Sequence, residues 1–149
     1  MNPNQTPIQA LVNGTHSASI SLLDRGLSYG DGVFRTMPVH KGLPASWQLH
    51  YQKLNHDCNA LKIQCPDEQT LLQDIQSLFA GADGVAKIIV TRGETARGYA
   101  YTANLASNRM VIKTDLPEYP KNRFEQGVSL HLCALRLAQD RKSTRLNSS

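Results

Sequence analysis

The sequence predicts an α+β fold, an antiparallel sheet carrying two helices, on three observations. Asn13-Gly14 separates two short runs suited to strands, the stretches after Ser46 and Asp67 repeat apolar side chains at spacings of three and four, and residues 85–91 and 110–114 are rich in β-branched side chains. A chain of 149 residues suits one domain with a modest core.

Taken in order, residues 8–12 and 17–23 flank Asn13-Gly14. That dipeptide favours a tight hairpin because both turn positions need positive φ, so an N-terminal β-hairpin is expected. Residues 33–40 read as the next strand, closed by Lys41-Gly42. Pro38 has no N–H for a ladder and argues for an edge or a bulge there. Ser46 suits a helix N-cap, and Trp47, His50, Tyr51, Leu54, Cys58 and Leu61 fall on one helical face that should pack on the sheet. A second helix begins near Asp67, places Leu71, Leu72, Ile75, Leu78 and Phe79 at helical spacing, and stops at Gly81, a left-handed C-cap. Strands follow over 85–91 and 110–114, and Leu116-Pro117-Glu118-Tyr119-Pro120 breaks the chain before a last strand over 128–135.

The formal charge of +4 falls to +2 for residues 1–139, because Arg141, Lys142 and Arg145 outweigh Asp140 in the last ten residues. That is too little to argue for nucleic acid. Cys58, Cys65 and Cys133 are odd in number and lack paired metal-ligand spacing, which disfavours a disulfide framework or zinc site and suits a reducing compartment, the cytoplasm. His16, His40, His50, His56 and His131 form no metal spacing or triad, and no metal is expected. No apolar run approaches the roughly 18 residues that span a bilayer, and no signal-peptide pattern opens the chain, so no membrane partner is expected.

The most informative run is Asp24-Arg25-Gly26-Leu27-Ser28-Tyr29-Gly30-Asp31-Gly32-Val33-Phe34-Arg35-Thr36-Met37. Gly30-Asp31-Gly32 is no dinucleotide fingerprint, since the third glycine is missing and an apolar strand follows where a helix should start. By itself the segment reads as a glycine-rich turn. In wording and order, however, the run resembles the N-terminal signature of the fold-type IV pyridoxal-phosphate enzymes, which include 4-amino-4-deoxychorismate lyases, branched-chain aminotransferases and D-amino-acid aminotransferases. His50-Tyr51-Gln52-Lys53-Leu54, the stretch from Val90-Thr91-Arg92-Gly93 to Arg97-Gly98-Tyr99, and residues 127–137 extend the resemblance in the same order. Within the group the chain is most similar to the lyases.

The resemblance implies pyridoxal 5'-phosphate as cofactor and a small-molecule substrate, 4-amino-4-deoxychorismate, converted to 4-aminobenzoate and pyruvate on the way to folate by a homodimeric parent enzyme. It places Phe34 and Arg35 toward the substrate side. Lys53 stands where the family usually carries the arginine that holds the cofactor phosphate, a departure that keeps the charge but loses the planar fork. Arg97 matches the arginine that, in the D-amino-acid aminotransferases, reaches into the neighbouring subunit and binds the substrate carboxylate, with Tyr99 beside it on the same glycine-containing loop. Arg35 replaces a glutamate common in the aminotransferases, and Pro38 stands where an arginine is frequent.

The resemblance further implies the N-terminal small domain over 1–115, a linker over 116–126 and the first strand of a second domain over 127–139. The lysine that bonds the cofactor would lie beyond the chain, leaving no catalytic residue here and a chain inactive alone. Residues 140–149 match no family segment and read, residue for residue, as the translation of a common sequencing-adapter string, hence as a tail foreign to the fold. Two other readings stay open: an aminotransferase of the same fold, and a non-catalytic α+β binding module.

Overall fold

In the computed structural model, residues 9–95, 98–100, 105–120 and 122–133 are described, and the chain divides into two compact units, Met1–Leu116 and Pro117–Ser149. The first unit is built on a six-stranded sheet in the order β2-β1-β6-β5-β3-β4, antiparallel throughout. Its strands are β1 (Gln9–Val12), β2 (Thr15–His16), β3 (Gly32–His40), β4 (Leu43–Pro44), β5 (Gly84–Thr91) and β6 (Asn108–Thr114). Three helices join them: α1 (Arg25–Tyr29), α2 (Trp47–Leu61) and α3 (Glu68–Phe79).

Register puts Leu11, Met37, Val39, Ala86, Ile88, Val90 and Val111 on one face of the sheet, where they pack with Leu54 and Cys58 of α2 and Leu71, Ile75, Leu78 and Phe79 of α3. The helical faces read from the sequence are therefore the buried ones. Trp47, Tyr51 and Leu61 close the edge of this core. Asp67 caps α3, its carboxylate accepting from the Thr70 N–H at 2.8 Å. Ser46 holds the N-cap position of α2 in a left-handed conformation (φ 49°) and makes no side-chain capping bond. Helix α3 ends at Phe79, and Ala80 precedes Gly81 in the left-handed region.

The Asn13-Gly14 hairpin is present, with both residues at positive φ (52° and 83°). Its second strand differs from expectation, ending at His16 instead of running through 17–23. Serine oxygens account for the departure: the Ser17 hydroxyl accepts from the Ser19 N–H and Ser21 from the Leu23 N–H, both at 3.1 Å, offering the backbone local partners in place of a ladder. Pro38 sits inside β3 opposite Val85, without a bulge. Its carbonyl accepts from Ala45 N–H at 2.8 Å on the β4 side, so its nitrogen also points away from β5 and no ladder bond to β5 is lost.

In the second unit, the stretch expected to be a linker carries the short helix α4 (Asn122–Gln126). The expected strand over 128–135 is not formed among its described residues, 128–133. Val128, Leu130 and Leu132 alternate as a strand would, but they are exposed and no described segment pairs with them.

Candidate functional site

The glycine-containing run folds as a one-turn helix wedged against the ends of β5 and β6. Asp24, fully buried and extended, caps α1: Oδ1 accepts from the N–H groups of Gly26 (2.8 Å) and Leu27 (3.4 Å). Oδ2 accepts from Thr91 Oγ1 and Asn108 Nδ2, each at 2.7 Å, which ties the turn to two strands. Two glycines are required by this close approach. A Cβ on Gly26 would lie 2.3 Å from Thr91 Cγ2, and one on Gly32 would lie 2.8 Å from the Val90 carbonyl oxygen.

Asp31 then joins two arginines. It accepts from Arg25 Nε at 2.9 Å and from Arg92 Nε and Nη2 at 2.7 and 3.1 Å. Burial pushes the Asp31 carboxyl up, but the bonds from Arg92 and Arg25 outweigh it and hold the group below its ordinary value. Arg92 also donates to the carbonyls of Leu61 (2.7 Å) and Lys62 (2.6 Å), where α2 ends and a cation meets the negative end of the helix. Arg25 donates to Thr95 Oγ1 and to the carbonyls of Gly98 and Tyr99, with its guanidinium 4.7 Å from the Tyr29 ring centre.

The residues singled out by the sequence do not converge on one point. Phe34, about half exposed, lies on the face of β3 opposite the helices, and Lys87 Nζ stands 5.0 Å from its ring centre. Arg35 points the other way, because neighbouring strand residues alternate faces, so the two side chains do not share one surface. It is buried under α2 and ion-paired with Asp57. The other oxygen of Asp57 meets Lys53 Nζ at 2.6 Å, so one carboxylate bridges a buried arginine and a half-exposed lysine. Burial and, after it, the Arg35 charge lower the pKa of His50 on the same helix. Tyr99 is exposed, its ring centre 5.4 Å from that of Tyr29. Arg97 lies outside the described residues.

Asp57, Asp24, Arg25, Asp31 and Arg92 were not anticipated as site-building groups. The i, i+4 spacing of Lys53 and Asp57 was a usable signal. Apart from the Asp24 cap and the Arg25–Asp31 pair, which are local, the contacts span long sequence separations and left none. Hydrogen bonding to Cys65, together with burial, pushes the Cys58 thiol up. Among the described residues no group of three or more His, Cys, Asp or Glu is placed to hold a metal, and no helix is long and apolar enough to cross a membrane.

Residues 32–146 match the amino-transferase class IV family, a match that takes in residues 140–146 of the tail. The chain is 31% identical over 127 residues to the aminodeoxychorismate lyase of Vibrio harveyi, covering 85% of this chain and 47% of that protein. It superposes on the crystal structure of 4-amino-4-deoxychorismate lyase from Pseudomonas aeruginosa with a TM-score of 0.73 and 41% identity, covering 80% of this chain and 44% of that one. With the branched-chain amino acid aminotransferase of Escherichia coli the likeness is one of fold: TM-score 0.64 at 14% identity, over 77% of this chain and 42% of that one. The chain spans about half the length of the relatives it matches.

Proposed function

The chain belongs to the amino-transferase class IV family, and we propose that it represents the first half of an aminodeoxychorismate lyase. The observation that carries this reading is the identity of 31% and 41% to the Vibrio harveyi and Pseudomonas aeruginosa lyases, against 24% to the D-alanine aminotransferase of Bacillus licheniformis and 14% to the branched-chain aminotransferase of Escherichia coli. The parent enzyme releases pyruvate from 4-amino-4-deoxychorismate, leaves 4-aminobenzoate for folate synthesis, and works as a homodimer in the cytoplasm.

In this reading Lys53 is the group whose chemistry fits the phosphate end of a pyridoxal-phosphate site. Lys53 offers a half-exposed ammonium at the flank of α2, and Asp57, held by Arg35, restrains it without consuming all three of its donors. Lys53 would hold the cofactor phosphate. When bound, the cofactor supplies an electron sink for loss of a proton from the carbon bearing the amino group. Phe34, Arg97 and Tyr99 would contact substrate, the arginine at a carboxylate. Arg35 enters this reading through Asp57 and not as a substrate contact.

The test is an assay of the complete gene product with pyridoxal phosphate and 4-amino-4-deoxychorismate. Pyruvate and 4-aminobenzoate in equal amounts are expected. Transfer of the amino group to a keto acid without pyruvate would assign an aminotransferase instead, and neither reaction would leave a binding module.

A further inference from the structure

Both long helices, α2 and α3, pack on one face of the sheet, over Met37, Ile88 and Val111. Alternation turns the intervening residues the other way, and register sets them side by side: Phe34, Ile89 and Met110 in one row, Thr36, Lys87 and Ile112 in the next. An antiparallel sheet with one solvated face ordinarily reads polar on that side. This side is mostly apolar, with Phe34 47% exposed. Exposed apolar surface gathered in one patch marks a contact with other protein. Lys87 stands in the middle of it, exposed and halfway along the interior strand β5. Its ammonium lies 5.0 Å from the Phe34 ring centre, and no described carboxylate forms an ion pair with it.

We propose that this face is the docking surface for the second half of the parent chain, and that the occupant sets a carboxylate against Lys87. The inference rests on the reading of the chain as a first half, and more than half of each lyase it matches lies outside the match. Charge decides against a second copy as the occupant. A two-fold contact lays one patch on itself, so a cation at its centre would meet its own image, a like-charge pair out of water. Another part of the same chain escapes that symmetry. Because a lysine covered by apolar groups is costly when its ammonium has no partner, the occupant has to bring the anion. Phe34, in the row nearer the signature turn, borders the covered area, where the same reading gives it to substrate.

The test is amine acetylation of the complete gene product, read by peptide mass spectrometry over a range of protein concentrations, with and without pyridoxal phosphate or 4-amino-4-deoxychorismate. Lys41, exposed in the turn after β3, is the reference. Lys87 should react at least about tenfold more slowly than Lys41 under all these conditions, since a covered amine reacts only when the contact opens. Lys87 as reactive as Lys41 would overturn the proposal. Protection lost on dilution would assign the face to a second copy, and protection gained only with cofactor or substrate would assign the anion to a ligand; either result overturns it as well. Lys87→Met supplies an independent measure: it strands the carboxylate and should raise the unfolded fraction in urea about a hundredfold or more, whereas on an open face it changes little. An unchanged unfolded fraction overturns the pairing with a carboxylate. A complete gene no longer than this chain would instead overturn the half-enzyme reading itself, whatever Lys87 does.

Discussion

Arg92 grips Asp31 through two bonds, Nε to Oδ2 at 2.7 Å and Nη2 to Oδ1 at 3.1 Å, and so fastens the turn before β3 to the end of β5. Because the same guanidinium reaches the last carbonyls of α2, one side chain connects the signature turn, the sheet and the helix that carries Lys53. A fork meeting a carboxylate at two points fixes orientation as well as distance.

Asp31→Asn should therefore destabilise the chain by about 2 kcal/mol at neutral pH, the scale of a hydrogen bond to a charged group. The folded pKa of Asp31 lies below its ordinary 3.8, so its stabilisation is complete above that value and is lost as pH falls through the lower folded value. Urea unfolding of both proteins at a series of pH values should show the gap closing below pH 3.8. A gap that stays constant to the acid limit would contradict this origin.

Gly26→Ala should cost about 1 to 3 kcal/mol by overpacking, since its Cβ would meet Thr91 Cγ2 at 2.3 Å. Adding Thr91→Ser deletes that methyl while keeping the hydroxyl donated to Asp24, and should recover part of the loss. Equal stability of the single and double variants would place the strain elsewhere.

Lys53→Ala in the complete gene product should weaken retention of pyridoxal phosphate by about 1.5 to 3 kcal/mol, and Lys53→Arg should restore it. Cofactor titration followed by absorbance measures both. An unchanged dissociation constant in Lys53→Ala would mark Lys53 as a helix-surface partner of Asp57 and nothing more.

The 149-residue chain alone should release no pyruvate from 4-amino-4-deoxychorismate at saturating cofactor. Lys41 lies in a turn, Lys62 caps α2, and Lys87 and Lys113 sit within strands, so borohydride trapping should label exposed amines at scattered, substoichiometric levels. Stoichiometric labelling of one lysine together with pyruvate would show that the cofactor lysine is inside the chain.

Genomic sequence through the end of the gene should depart from the codons of residues 140–149. If the same codons continue in frame there, residues 140–146 belong to the family match and the adapter reading fails.

Much of this architecture was legible because it is local. Leu54 and Cys58, or Leu71 and Ile75, repeat at the helical period and are buried for that reason. Asn13-Gly14 fixed its hairpin through φ alone. Residues 17–23 misled because alternation there competes with serine oxygens that bond neighbouring N–H groups. The five-residue α1, with Gly26 inside it, is too short to show a period. For the site, strand alternation already separates Phe34 from Arg35, and family precedent obscured that parity. The bonds joining Arg25 to Tyr99 or Arg92 to Asp31 depend on how distant segments dock, and no spacing in the sequence encodes them.

Asp24 also imposes an order of events in time. Its Oδ2 partners lie 67 and 84 positions downstream, so the carboxylate must stay solvated until β5 and β6 have come together. Closing loops of that size is slow compared with coiling a helix. During synthesis, then, α2 and α3 can form early, whereas the signature turn locks only after Asn108 has left the ribosome, and the site is among the last parts of this unit to mature.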